Sequence, residues 1–165
     1  MSKNNPHKLG ARIWFNLILF GFMGQVAWAV ENVYFNTYLF NYIGGNANDV
    51  SKMVSFSAVA AVLTTFIMGT LSDKLNKRKL FISVGYILWG FTVAVFAWIS
   101  RENIGSLFHI SDSAKVFAVT VSIVIIMDCV MTFMGSTSND AAFNAWITDV
   151  TVPENRGVAE SVLSL

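Results

Sequence analysis

The chain is short of charge and of cysteine, and it carries no excess of either sign. Charged residues make up 13% of its 165 residues, about half the share of an ordinary soluble domain. With 55% of residues hydrophobic and a mean hydropathy of +0.57, a chain of this size could not hide its apolar surface in a soluble core. A polytopic membrane protein is the class that remains. The single cysteine, Cys129, lies in an apolar run. It excludes an intrachain disulfide and a cysteine metal cluster, and reads as a small apolar filler. Eleven basic residues against ten acidic ones leave a formal charge of +1, clustered at segment ends without a basic, aromatic-laced face, so nucleic acid is not an expected partner. His7 and His109 stand far apart and outside the apolar runs. Without a nucleophile–base pair, a metal-ligand spacing or a phosphate-cradling loop, no enzyme activity, metal or cofactor is expected.

What the chain has in quantity is long apolar runs. Four spans can be drawn, at about 13–43, 50–71, 80–100 and 114–149, and an apolar helix begins again at 157–165. A bilayer core needs about 20 helical residues, more with tilt. Spans one and four exceed this, so tilt or bending is expected, with Gly21, Gly24 and Gly135 as yielding points. Residues 1–12 form a tail. Its Lys3, His7, Lys8 and Arg12 precede an apolar run about twice the length of a signal-peptide core, so this run is expected to stay as the first span. The helix from Gly157 is too short to cross a bilayer, which predicts a fragment of a longer polypeptide.

Loop composition assigns the sides. Lys3, Lys8 and Arg12 precede span one, and Lys74, Lys77, Arg78 and Lys79 follow span two, whereas loop 43–51 has no basic residue but Gly44, Gly45 and Asn46 for a turn. Loop 101–113 has no basic excess. The N-terminus and loops 72–79 and 150–156 are therefore expected in the cytoplasm of a multi-pass plasma-membrane protein.

Polar residues inside the spans are the candidates for function. At 100° per residue, Gly21, Gln25, Trp28, Asn32 and Asn36 fall in one stripe of span one, with Gly24, Glu31, Phe35, Tyr38 and Tyr42 beside it. In span four, Asp128, Thr132, Ser136, Asn139, Asp140, Phe143 and Asn144 share an arc. Such groups cost several kcal/mol in hydrocarbon unless they find partners or water. Glu31 and Asp128 read either as carboxylates that bind a coupling ion or solute, or as acids hydrogen-bonded to a neighbouring helix. Asp140 reads either as a third such acid or as a brace of the cytoplasmic gate. Trp28 and Phe143 suit a sugar face or plain packing. Span two offers only small polar residues, which suit close packing. Span three has no ionisable residue and is apolar all round, so it is expected on the outside, facing lipid.

Two stretches resemble the major facilitator superfamily. In 69–79, Gly69, Asp73, Lys74, Lys77, Arg78 and Lys79 are similar to the passage after that family's second helix, with Asn76 where a second glycine is usual. Asparagine tolerates left-handed backbone. Asp149, Pro153, Arg156 and Gly157 resemble the passage between helices four and five. Gly24-Gln25 through Glu31-Asn32, and Asn139-Asp140 through Asn144 and Trp146, look like the sugar–cation symporters of the glycoside–pentoside–hexuronide and sucrose-transporter kind. The melibiose-type aspartate pair of helix two is missing, so a sodium site of that type is not implied.

The resemblance implies an all-α, polytopic transmembrane bundle, the N-terminal part of a major facilitator fold. It implies a secondary active transporter of a small polar organic solute, such as a sugar or glycoside, working by alternating access. Its partners are the solute, the bilayer and a C-terminal half of the same transporter, and the coupling ion is H+ or another cation. The implied latch comprises Gly69, Asp73, Lys74, Arg78, Asp149 and Arg156, with Lys74 pairing Asp149. The solute and coupling candidates are Gln25, Trp28, Glu31, Asn32, Asn36, Asp128, Asn139, Asp140 and Asn144. An efflux carrier for amphipathic compounds and a non-transporting truncated remnant are the alternatives.

Overall fold

Apolar sequence at helical spacing becomes four long helices in the computed structural model, which describes residues 9–163. These are α1 (Ala11–Ile43), α2 (Ala47–Leu75), α3 (Arg78–Trp98) and α5 (Ser113–Val150), each long and apolar enough to cross a membrane. A short α4 (Arg101–Leu107) joins α3 to α5, and α6 (Pro153–Leu163) follows α5. The described residues contain no strand. Most of the expected tail, and the last two residues of the expected fifth helix, lie outside the described residues.

The turns form where local chemistry asks for them. Gly44 takes the left-handed conformation at φ 78° and ends α1. Asn46 then caps α2: its side chain accepts from the backbone N–H of Asn48 and Asp49, while Asp49 accepts from the N–H of Asn46 at 3.1 Å. At the other end of α2, Asn76 adopts φ 49°, the left-handed role its place in the sequence suggested. The expected loop 101–113 is partly helical instead. Ser100 caps the N–H of Asn103 at 3.1 Å, and Asp112 caps α5 through the N–H of Ala114 at 2.9 Å.

The helix α5 is the centre of the bundle, packed along both α2 and α3, which hardly touch one another. The C-terminal part of α1 leans on α2 and α5, and its N-terminal part on α6. Two apolar clusters hold this arrangement. One, near the acidic and polar turns, gathers Phe35, Leu39, Met53, Phe96, Ile104 and Val124. The other, near the basic end, gathers Leu17, Ile82, Phe143, Ile147 and Ala159. Between them lie the buried polar residues.

Span three differs from expectation. One face of α3, Ile82, Gly85, Trp89, Thr92 and Phe96, is buried, while Leu80, Ile87 and Phe91 are exposed. The uniformly apolar sequence concealed this division, because Trp and Tyr are apolar in body and polar only at one tip. The yielding points differ too. The α-helix runs unbroken through Gly21 and Gly24. Wide π-helical turns appear instead at Glu31–Phe35, Tyr38–Ile43 and Ser136–Phe143, the last directly after Gly135. A Cβ at Gly24 would sit 2.3 Å from Asn139 Oδ1, and one at Gly85 2.6 Å from Ser138 Cβ. These glycines allow close helix approach rather than bending.

Candidate functional site

The buried acids meet in one cleft. Glu31 on α1 is 6% exposed and Asp128 on α5 is 4% exposed. Both line a cleft of about 160 Å³ among α1, α2 and α5, with Trp28, Asn32, Asn36 and Thr132. On α2 the wall is Val54, Ser57, Ala58 and Ala61. Counted along the helices, Glu31 lies about 18 Å from the C-terminal end of α1 and Asp128 about 22 Å from the N-terminal end of α5. The two carboxylates therefore sit at similar depth, well inside the spans.

Their partners are neutral donors. Thr132 donates from Oγ1 to Glu31 Oε1 at 2.7 Å, and Trp89 from Nε1 to Oε2 at 3.3 Å. Ser57 donates from Oγ to Asp128 Oδ2. Among the described residues, no lysine or arginine lines the cleft. Hydrogen bonds to a charged group contribute about 1.5–3 kcal/mol each, which offsets part of the cost of removing a carboxylate from water. They leave its charge uncompensated, so the cleft is suited to a positive ion or a donor-rich solute.

Trp89 and Ser57 were not read as candidates from the sequence. An indole in an apolar helix gives no periodic polar signal, and a serine in span two reads as a packing residue. Trp89 is 2% exposed, with its ring 5.2 Å from that of Trp28. This tilted ring contact fixes the indole whose N–H holds Glu31.

The remaining candidates are spread out. Asn32 is exposed on the cleft rim and Asn36 is half-buried there. Gln25 is exposed and does not line the cleft. Asn139 and Asp140 form a second cluster nearer the basic end. Ser136 donates to Asp140 Oδ2 at 2.9 Å, and Asn139 Nδ2 to Oδ1 at 3.1 Å. The hydroxyl of Tyr86 on α3 lies 2.8 Å from Asn139 Oδ1 and 3.1 Å from the Phe20 carbonyl. Tyr86 is thus another polar contribution from α3. Asn144 is exposed below this cluster.

At the basic end Arg78 takes the place expected of Lys74. Its guanidinium bridges two acids, holding Asp149 through Nε and through Nη2 at 3.2 Å, with Nη1 2.8 Å from Asp73. The Nη1 contact is an ion pair off the hydrogen-bonding direction. Lys74 is exposed. It stands a turn earlier on α2, whereas Arg78 opens α3 beside the end of α5; a planar guanidinium also suits a carboxylate better than an ammonium does. Arg156 closes the last turn of α5, donating from Nη2 to the Thr148 carbonyl and from Nε to Thr151 Oγ1, both at 3.1 Å. Gly69 is half-buried beside open space.

No curated protein and no solved structure matches the chain. A family model, Major Facilitator Superfamily, matches residues 13–165, a stretch that takes in the cleft, the second cluster, the Arg78 bridge and all four long helices. This multi-pass, all-helical chain therefore belongs to the major facilitator superfamily of membrane transporters.

Proposed function

We propose that the chain works as the N-terminal part of a secondary active transporter that couples a cation, H+ foremost, to movement of a small polar organic solute. One observation carries this reading: two buried carboxylates from different helices, Glu31 and Asp128, reach one cleft whose lining, among the described residues, holds no base. A carboxylate held only by neutral donors takes up a cation readily, and binding there changes the charge of the cleft. Asn32 and Asn36 offer amide donors and acceptors for hydroxyl groups, and Trp28 offers a flat apolar face, a set that suits a sugar or glycoside.

Exposed Gln25, Asn32 and Asn144 lie within helices long enough to cross a membrane. Polar amides at such depth need further helices over them, as a second half-bundle supplies in alternating access. The Asp73–Arg78–Asp149 bridge ties the α2–α3 turn to the end of α5 and serves as a latch that opens as the halves rock. The lysine and arginine distribution supports a cytoplasmic N-terminus in the plasma membrane. The apolar α2 wall of the cleft, Val54, Ala58 and Ala61, favours a second reading, export of an amphipathic compound.

The test is uptake by the full polypeptide in proteoliposomes, with a panel of sugars, glycosides and amphipathic cations, under a pH or a sodium gradient. Uptake of a sugar driven by the pH gradient, and lost in Glu31→Gln, supports the proposal. Gradient-independent uptake in both wild type and variant overturns it.

A further inference from the structure

A second opening lies away from the cleft, at the basic end, between the first turns of α1 and α3 and the last turns of α5. It encloses about 490 Å³. Its inner wall is aromatic: Phe143 and Trp146 stack with centroids 5.8 Å apart, and Phe20 packs on Phe143 at 6.2 Å. Its mouth carries Arg12 and Lys79, both exposed, with the amide of Asn16 beside them. No acid lines it. The nearest carboxylate on α5, Asp149, is held by Arg78.

The arrangement has the two-part chemistry of an amphipathic anion. Arg12 is the second residue of α1 and Lys79 the second of α3, so two cations and two positive helix ends converge on one mouth. The aromatic wall runs inward from there, and Trp146 lies four residues before the end of α5, the kind of place interfacial tryptophans take. A water-soluble anion would satisfy the cations and leave the aromatic wall bare. A neutral lipid would cover the wall and leave the cations without a partner.

We propose that this opening binds an anionic phospholipid, its phosphate between Arg12 and Lys79 and one acyl chain against Phe20, Phe143 and Trp146. The lipid fills the opening among the three helices, beside the cluster of Leu17, Ile82 and Phe143. It thereby ties the entry of α1 to the end of α5, the helix that the Arg78 bridge also holds.

The full polypeptide is reconstituted in phosphatidylcholine nanodiscs, and dibrominated phosphatidylglycerol or dibrominated phosphatidylcholine is titrated in. The reading is the quenched part of the tryptophan emission that Trp146→Phe removes. The expected result is half-maximal quenching at a mole fraction about thirty-fold lower for phosphatidylglycerol, the factor given by two juxtamembrane cations. Arg12→Gln with Lys79→Gln abolishes that preference; the charge-matched pair Lys74→Gln with Lys77→Gln keeps it. Equal titrations of the two lipids overturn the proposal, as does a preference that survives in the Arg12/Lys79 variant. Loss of quenching on adding inorganic phosphate at matched ionic strength also overturns it, since the ligand would then be a soluble phosphate. An opening covered by another helix gives no quenching specific to Trp146 and overturns it equally.

Discussion

At the scale of single residues, Glu31 and Trp89 act as a pair. Glu31→Gln keeps the shape and removes the charge, so gradient-driven uptake is expected to vanish while the variant inserts and folds. The same uptake assay, set beside protein yield, checks both halves of that statement. Trp89→Phe leaves a ring against Trp28 but withdraws the N–H from Glu31 Oε2. One hydrogen bond to a charged group contributes about 1.5–3 kcal/mol, so coupled uptake is expected to fall about ten-fold or more. Unchanged uptake in Trp89→Phe would show that the indole only packs. Glu31, Asp128, Asn32 and Asn36 were legible in the sequence because a polar side chain stands out in an apolar helix. Trp89 and Tyr86 were not, since their polar tips are hidden in residues that also signal lipid-facing surface. Asn139 and Asp140 were visible as polar, but their separation from the cleft depends on the wide turn in which they lie, which no local pattern announces.

At the scale of elements, the ends of the helices were easier to read than their packing. Gly44, Asn46 and Asn76 are turn and cap residues whose roles follow from their own backbone preferences. Asn76→Ala places a Cβ-bearing residue without a local side-chain hydrogen bond at φ 49°, and is expected to cost about 1–2 kcal/mol. Asn76→Gly should cost nothing, and thermal unfolding in detergent separates the two. Which cation meets Asp149 was not legible, because Lys74, Lys77, Arg78 and Lys79 differ by only a turn of chain, and the helix boundary at Arg78 decides among them. Arg78→Gln is therefore expected to raise amide hydrogen exchange across 73–79 and at the end of α5, while Lys74→Gln leaves it unchanged. Equal effects of the two variants would refute the assignment. The glycine contacts give a third expectation. Gly85→Ala sets a methyl group 2.6 Å from Ser138 Cβ, and overpacking of this kind typically costs about 1–3 kcal/mol, read as lower thermal stability.

At the scale of the whole molecule, charge asymmetry and polar exposure support the proposed orientation and the proposed second half-bundle. A single cysteine at Asn46, in a Cys129-free background, is expected to react with an impermeant reagent only from outside the cell; reaction from the cytoplasmic side alone would invert the topology. The order of the four spans was legible from hydropathy because each run is longer than any soluble helix needs. The central position of α5 was not, since it depends on small residues and glycines meeting across helices. The wide turns of α1 and α5 have a genetic consequence. A π-helical turn holds one residue more than an α-helical one, so each is equivalent to a single-codon insertion absorbed by a helix that continues. Removing one residue from a plain α-helical stretch changes the facing of everything beyond it by about 100°, whereas removing one from a wide turn restores α-helix and keeps the facing of both flanks. A one-residue deletion within 136–143 is thus expected to leave Asp149 on Arg78 and Asp128 on Ser57. Deletions of one codon, ordinarily fatal to a packed helix, become tolerable at these three stretches.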